Sequence, residues 1–213
     1  MIKSMKYWAN SHSTIHNFNI LIITYNSNSL FLGGGRIRPI DGFNLLVTLQ
    51  GHKDARAGEE LVGIEEIELA LSSYEPVLYI KESQYPNVVL VELTMDPEEA
   101  VTILNEAPTT VISKAVPIDL VVKTRMGIIL EQVLVIAREK MNSEDSFVVR
   151  CDLRGREYLE SEEELINAVS NELLNHLDVI ADNMNPDWIV QIEVVGEDTG
   201  ISILKPHQIL KKS

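Results

Sequence analysis

The sequence predicts an α+β fold made of two consecutive modules, βαββαβ and then αβαββ. Three observations carry that prediction. Stretches with apolar residues at steps of three and four alternate with short apolar or strictly alternating runs, which are the marks of amphipathic helices and of strands. Cap and turn residues separate these stretches. The order of element types starts afresh around residues 116–124. The 213 residues are 45% hydrophobic and 23% charged, ordinary for a chain with a packed core.

Charge is uneven along the chain. The formal net charge is −14. Residues 1–40 contribute +4, residues 41–122 −11 and residues 123–213 −7. Such an acid excess opposes bulk attraction to nucleic acid, so RNA binding would need a local basic patch. The single cysteine, Cys151, excludes an internal disulfide and a cysteine metal cluster. No run of about 18 apolar residues is present, so no transmembrane helix is expected and a cytoplasmic location is. Residues 1–40 are expected to be a disordered extension or an over-long gene start. Gly33-Gly34-Gly35 lies outside any phosphate-loop frame. The remaining divisions are 41–120, 121–206 and a basic tail, 207–213.

In the first module, Phe43 to Leu49 is a short buried-strand run. A helix follows over about 54–71, with Ala57, Leu61, Ile64, Ile67 and Leu71 on one face. Its glutamates read as a solvated face, since nothing gives them a shared dry pocket. Gly58 and Gly63 weaken the helix. Residues 76–81 and 88–93 are strands around the turn Tyr85-Pro86-Asn87. Asp96 caps a helix with Pro97 at its first position. Pro108 closes that helix, and residues 111–116 form the last strand. This order is the split-βαβ, ferredoxin-like pattern. His52 reads as a loop residue, and nothing in the module looks catalytic.

In the second module, Leu130, Val133, Leu134, Ala137 and Met141 mark a helix over 127–141. Phe147, Val149, Cys151 and Leu153 alternate with Val148, Arg150, Asp152 and Arg154, a half-buried strand. Cys151 falls on the inward parity and reads as a structural thiol. Arg150 and Arg154 fall on the outward parity, with Arg156 just past Gly155. Ser161 opens a capping box with Glu164, and Leu165, Val169, Leu173 and Leu177 carry the helix stripe. Asn185-Pro186-Asp187 turns the chain into a strand over 188–195. A tight turn and a hairpin partner over 201–204 follow.

These motifs resemble a THUMP domain, the tRNA-binding module of several RNA-modifying enzymes. The resemblance rests on Ser146-Phe147-Val148-Val149-Arg150, Arg154-Gly155-Arg156, the helix opened by Ser161, Asn185-Pro186-Asp187, Ile192-Glu193-Val194 and Gly200-Ile201-Ser202-Ile203. The first module resembles the ferredoxin-like domain that precedes THUMP in such proteins. No S-G-G-x-D-S loop and no N-P-P-Y or D-P-P-Y motif is present, and no space remains for a pseudouridine synthase domain. The chain is therefore most similar to the archaeal and eukaryotic adaptor family for tRNA cytidine acetylation. That resemblance implies a non-catalytic adaptor without cofactor or metal. It would hold the acceptor 3′ end of tRNA and present it to a separate tRNA cytidine acetyltransferase, which makes N4-acetylcytidine in the D-arm.

The candidate RNA-binding residues are Lys123, Arg125, Arg150, Arg154, Arg156 and Lys205. Two readings stay open for the arginines. They grip phosphates, or Arg150 pairs with Asp152 or Glu193 across the sheet while Arg154 and Arg156 are solvated. A second function class also stays open, an interaction or ligand-sensing module built on ferredoxin-like sheets.

Overall fold

In a computed structural model of the chain, residues 21–22, 42–51, 59–75 and 78–212 are described. The expectations for His52, for the Gly33–Gly35 stretch and for the start of the first helix lie outside them, as does residues 1–40 as an extension, apart from Leu21 and Ile22. In chain order the described elements are β1 (Leu21–Ile22), β2 (Leu45–Leu49), α1 (Glu59–Leu71), β3 (Tyr79–Glu82), β4 (Val88–Glu92), α2 (Pro97–Glu106), β5 (Ile112–Pro117), β6 (Leu120–Lys123), α3 (Met126–Lys140), β7 (Ser146–Arg154), α4 (Glu162–His176), β8 (Ile180–Ala181), β9 (Trp188–Val195), β10 (Asp198–Leu204) and, after a 3-10 turn at Pro206–Gln208, β11 (Leu210–Lys211). The fold is mixed α+β, with two sheets and four helices among these residues.

The first sheet has the order β1-β3-β4-β2-β5-β11 and the second β6-β10-β9-β7-β8. Strand alternation sets which side chains meet. In β2, Leu45, Val47 and Leu49 point to α1 and α2 and pack with Ile67, Leu71 and Leu104. Leu46, between them, points the other way. In β9, Val190, Ile192 and Val194 pack on α3 and α4 with Val133, Leu165 and Leu173. A third core lies between the sheets, where Phe43, Leu46, Leu90 and Val116 meet Ile189, Val195 and Leu204. The molecule therefore has four layers: helices, sheet, sheet, helices.

Both expected N-caps are present, the one at Ser161 through the serine side chain. Asp96 accepts from the Glu98 N–H at 2.9 Å, and Ser161 Oγ accepts from the Glu164 N–H at 3.1 Å. Each satisfies an orphan donor of a helix first turn.

Four strands were not expected: β1, in the stretch expected to be an extension, pairs parallel with β3, and three more lie further along. β6 precedes α3 and pairs with β10, β8 pairs with the start of β7, and β11 pairs with β5. Strands this short leave no periodic trace. Leu210 and Lys211 of the expected basic tail thus return to the first sheet, and Lys212 Nζ donates to the Leu104 and Ala107 carbonyls at 2.9 and 3.0 Å, closing the C-terminal end of α2. Two details of α1 also differ. Leu61 is 63% exposed, because the buried stripe is Ile64, Ile67 and Leu71. Gly63 lies on the packed face: a Cβ there would sit 2.5 Å from both methyls of Leu49. Its missing side chain is what lets the helix approach the sheet.

Candidate nucleic-acid interface

The motif residues first make structure. Asp187 Oδ2 accepts from both the N–H and the hydroxyl of Ser146, at 2.9 and 2.7 Å, and the Asp187 N–H donates back to Ser146 Oγ at 2.9 Å. These bonds join the starts of the parallel strands β7 and β9. The Ser146 hydroxyl and N–H hold the Asp187 carboxyl below its ordinary range. Next to it, the Trp188 indole N–H donates to Asp145 at 2.8 Å. Lys205 Nζ sits 3.6 Å over the Trp188 ring, a cation–π contact.

At the opposite end of the sheet, Lys123, Asp198, Val195 and Arg154 form one row across β6, β10, β9 and β7. Lys123 and Arg154 are thus three strand spacings apart, roughly 14 Å. Lys123 is exposed and paired to Asp198 at 2.8 Å and Glu197 at 3.7 Å. Arg125 is exposed at the N-cap of α3, and Arg156 is exposed in the loop after β7. Lys205 lies at the far end of the strands, and exposed Arg138 sits in the last turn of α3, away from Arg125. The six candidate residues do not converge on one patch.

The parity of β7 is as expected, but its consequence differs. Arg150, Asp152 and Arg154 lie opposite the helix-facing residues, yet the first sheet covers that face. Arg154 Nη1 donates to the carboxylate of Glu193 at 2.7 Å, and Nη2 to the Thr48 hydroxyl of the first sheet at 3.2 Å. Lys114, from β5, bonds both Asp152 and Glu193. Gln191 Nε2 donates to Glu193 at 2.9 Å and to Asp152 at 3.2 Å. The Glu193 side chain is fully buried. Burial pushes its carboxyl up, against the pull of Lys114 and Arg154. Burial would also raise Asp152, but the Lys114 bond and charge outweigh it and hold that carboxyl low. Arg154 is therefore part of an ion network between the sheets. No sequence signal reported Lys114, which lies in the other module.

Arg150 lines a cleft at the edge of this network, and Lys211 of β11 lines it too. Cys151 packs with the second core, and burial followed by the charge of Glu162 pushes its thiol up to about 12, far from a reactive thiolate. Among the described residues no group of His, Cys, Asp and Glu is arranged to hold a metal ion, and no helix is long and apolar enough to cross a membrane.

Residues 123–204 match the THUMP domain family. No curated protein matches the chain. Solved structures share the fold. PH1313 from Pyrococcus horikoshii Ot3 aligns with TM-score 0.60 at 20% identity, over 76% of this chain and 55% of that one. TrmN from Thermus thermophilus aligns with TM-score 0.55 at 19% identity, over 80% and 46%. A 4-thiouridine synthetase solved with RNA and bound ATP aligns with TM-score 0.54 at 15% identity, over 80% and 42%. The chain thus spans about half the length of these proteins.

Proposed function

We propose that this protein is a tRNA-binding adaptor without a reaction of its own, which presents tRNA to a separate modification enzyme. Within that reading the enzyme is the acetyltransferase that makes N4-acetylcytidine in the D-arm. The THUMP match over residues 123–204 carries the proposal, because it points to RNA binding in tRNA modification. The strand order β3-β4-β2-β5, with helices crossing between β2 and β3 and between β4 and β5, supports reading the first module as ferredoxin-like. Exposed Arg125 and Arg156, with Lys123, give phosphates a landing surface at one end of the second sheet. Against a net charge of −14 that surface has to act locally.

A gel shift with total tRNA at low and moderate salt tests RNA binding. Retarded bands that fade with salt are expected, and no band at any salt rejects the reading. Mapping N4-acetylcytidine across tRNA in a strain lacking the gene tests the modification. Unchanged acetylation removes that part and leaves RNA binding standing. One observation favours the second reading, an interaction module: Leu61, Val62, Leu69 and Tyr74 expose an apolar strip along and just beyond α1.

A further inference from the structure

The outer face of α1 is shaped for a contact that the fold itself does not use. Leu61, Glu65 and Leu69 follow one another at steps of four and so lie on one side of the helix, with Val62 beside them. Leu69 is 72% exposed, and Tyr74, just past the helix, is 58% exposed. The opposite side, with Ile64, Ile67 and Leu71, already packs the helix on the first sheet. A helix that is apolar on both sides is expected to be covered on both. Its neighbour in the same layer, α2, shows the ordinary case and turns Glu99, Thr102, Asn105 and Glu106 to solvent. In the second layer of helices, α3 and α4 each expose one large apolar side chain, Val135 and Leu174.

The helix is held in place without that outer face. Glu60 accepts from the Asn87 N–H at 2.8 Å, and Glu66 from the N–H and hydroxyl of Thr110 at 2.5 and 2.6 Å. Buried Glu75, just past the helix, accepts from the Thr94 and Met95 N–H groups at 2.7 and 2.8 Å. Three loops of the first module are therefore tied to one helix. The strip is presented on a fixed element, which lowers the ordering cost of docking.

Charge selects the occupant. Residues 59–75 carry six glutamates and no lysine or arginine. Glu65 stands exposed inside the strip, and Glu68 is half-buried close by. Burial, and then the charge of Glu65, push the Glu68 carboxyl above its ordinary range. A second copy docked by the same face would set these carboxylates against their own kind, because a two-fold contact brings identical surfaces together. The phosphates of RNA would meet the same repulsion. A protein surface with lysines or arginines around apolar side chains matches both features of the strip.

We propose that the outer face of α1, with Leu61, Val62, Glu65, Leu69 and Tyr74, docks a partner protein through an apolar surface flanked by lysines or arginines. The proposal deepens the adaptor reading, in which RNA and the enzyme need separate faces of one chain, and it rests on that reading only for the identity of the partner.

The test compares the full chain, the double variant Leu61→Ser, Leu69→Ser and the single variant Glu65→Lys, after thermal melts show that all three fold. Each is titrated at moderate salt with two labelled synthetic amphipathic helices that share a leucine face, one with lysines on its polar face and one with glutamates. Fluorescence anisotropy is expected to show the full chain binding the lysine helix at least tenfold more tightly than the glutamate helix. The double variant should lose tenfold or more for the lysine helix, and Glu65→Lys should narrow the preference between the two. Lysine-helix binding that the double variant keeps in full, or that the full chain lacks, overturns the docking face. Sedimentation that finds a dimer of the full chain and a monomer of the double variant assigns the face to a second copy, and tRNA binding lost in the double variant assigns it to RNA; either overturns the proposed partner. A full chain that binds the lysine helix but no tRNA rejects the adaptor reading and supports the docking face alone.

Discussion

The hydroxyl of Tyr85 lies 2.1 Å from where a Cβ on Gly155 would be placed. Tyr85 belongs to the β3–β4 turn of the first sheet, and Gly155 follows β7 in the second. Gly196, also beside this ring, would place a Cβ 3.0 Å from the same oxygen. The two modules are thus keyed together by one aromatic ring set between two glycines.

Gly155→Ala is expected to destabilise the protein by about 2–3 kcal/mol. Gly155 has φ +86°, where an L side chain is strained by about 1–2 kcal/mol, and the collision with Tyr85 adds to it. Tyr85→Ala in the same chain relieves the collision but not the strain. The pair should therefore be less than additive in a urea-denaturation cycle. Full additivity would show that the ring and the glycine do not touch.

Arg154→Met is expected to cost about 3 kcal/mol, because it removes one of the two cations from the buried Glu193. Arg156→Ala, on an exposed loop, should stay within about 0.5 kcal/mol. The readings for tRNA should be reversed, with the salt dependence of binding changed by the Arg156 substitution and kept in the folded Arg154 variant. Thermal melts and salt-titrated binding on the two single variants separate these roles.

Asp187 predicts a pH response. Its carboxyl is held low by Ser146, so the stability it adds is present above the unfolded value of about 3.8 and is lost as pH falls through the lower folded value. The fluorescence of Trp188, the next residue, should report loosening of the β7–β9 junction on acidification. Asp187→Asn should show a weaker junction at neutral pH and lose that part of the acid response. An unchanged acid profile in the variant would assign the loosening to other groups.

Removing residues 206–213 is expected to lower the melting temperature by several degrees. The deletion strips β11 from β5 and takes Lys212 from the end of α2. A truncated chain that melts with the full one would show that the return strand adds nothing.

Local chemistry explains what could be read in advance. Asp96, Ser161 and the alternation of β7 act within a few residues, so each was visible in the sequence. The motif around Ser146 and Asp187 was visible as a pattern, though its hydrogen bonds were not. Arg154 shows the limit. Alternation says that it points away from its own helices, but only the packing of a second sheet says that the other side is dry. Lys114 and Thr48 complete its surroundings from the other module, and no spacing rule reaches that far. Gly63 was read as a weak point in a helix because helix propensity takes no account of Leu49 across the layer.

Leu210 and Lys211 complete the first sheet only after the chain has run through the whole second one. During synthesis β2 to β5 leave the ribosome before the rest, while the free side of β5 has to wait for Leu210 and Lys211. An open strand edge invites pairing with other chains, and Lys114 on that strand supplies the kind of charge that discourages it. The edge closes when 206–211 have been made and run back to it. Closure of the first sheet is therefore the last pairing in chain order, after every strand of the second sheet has been made.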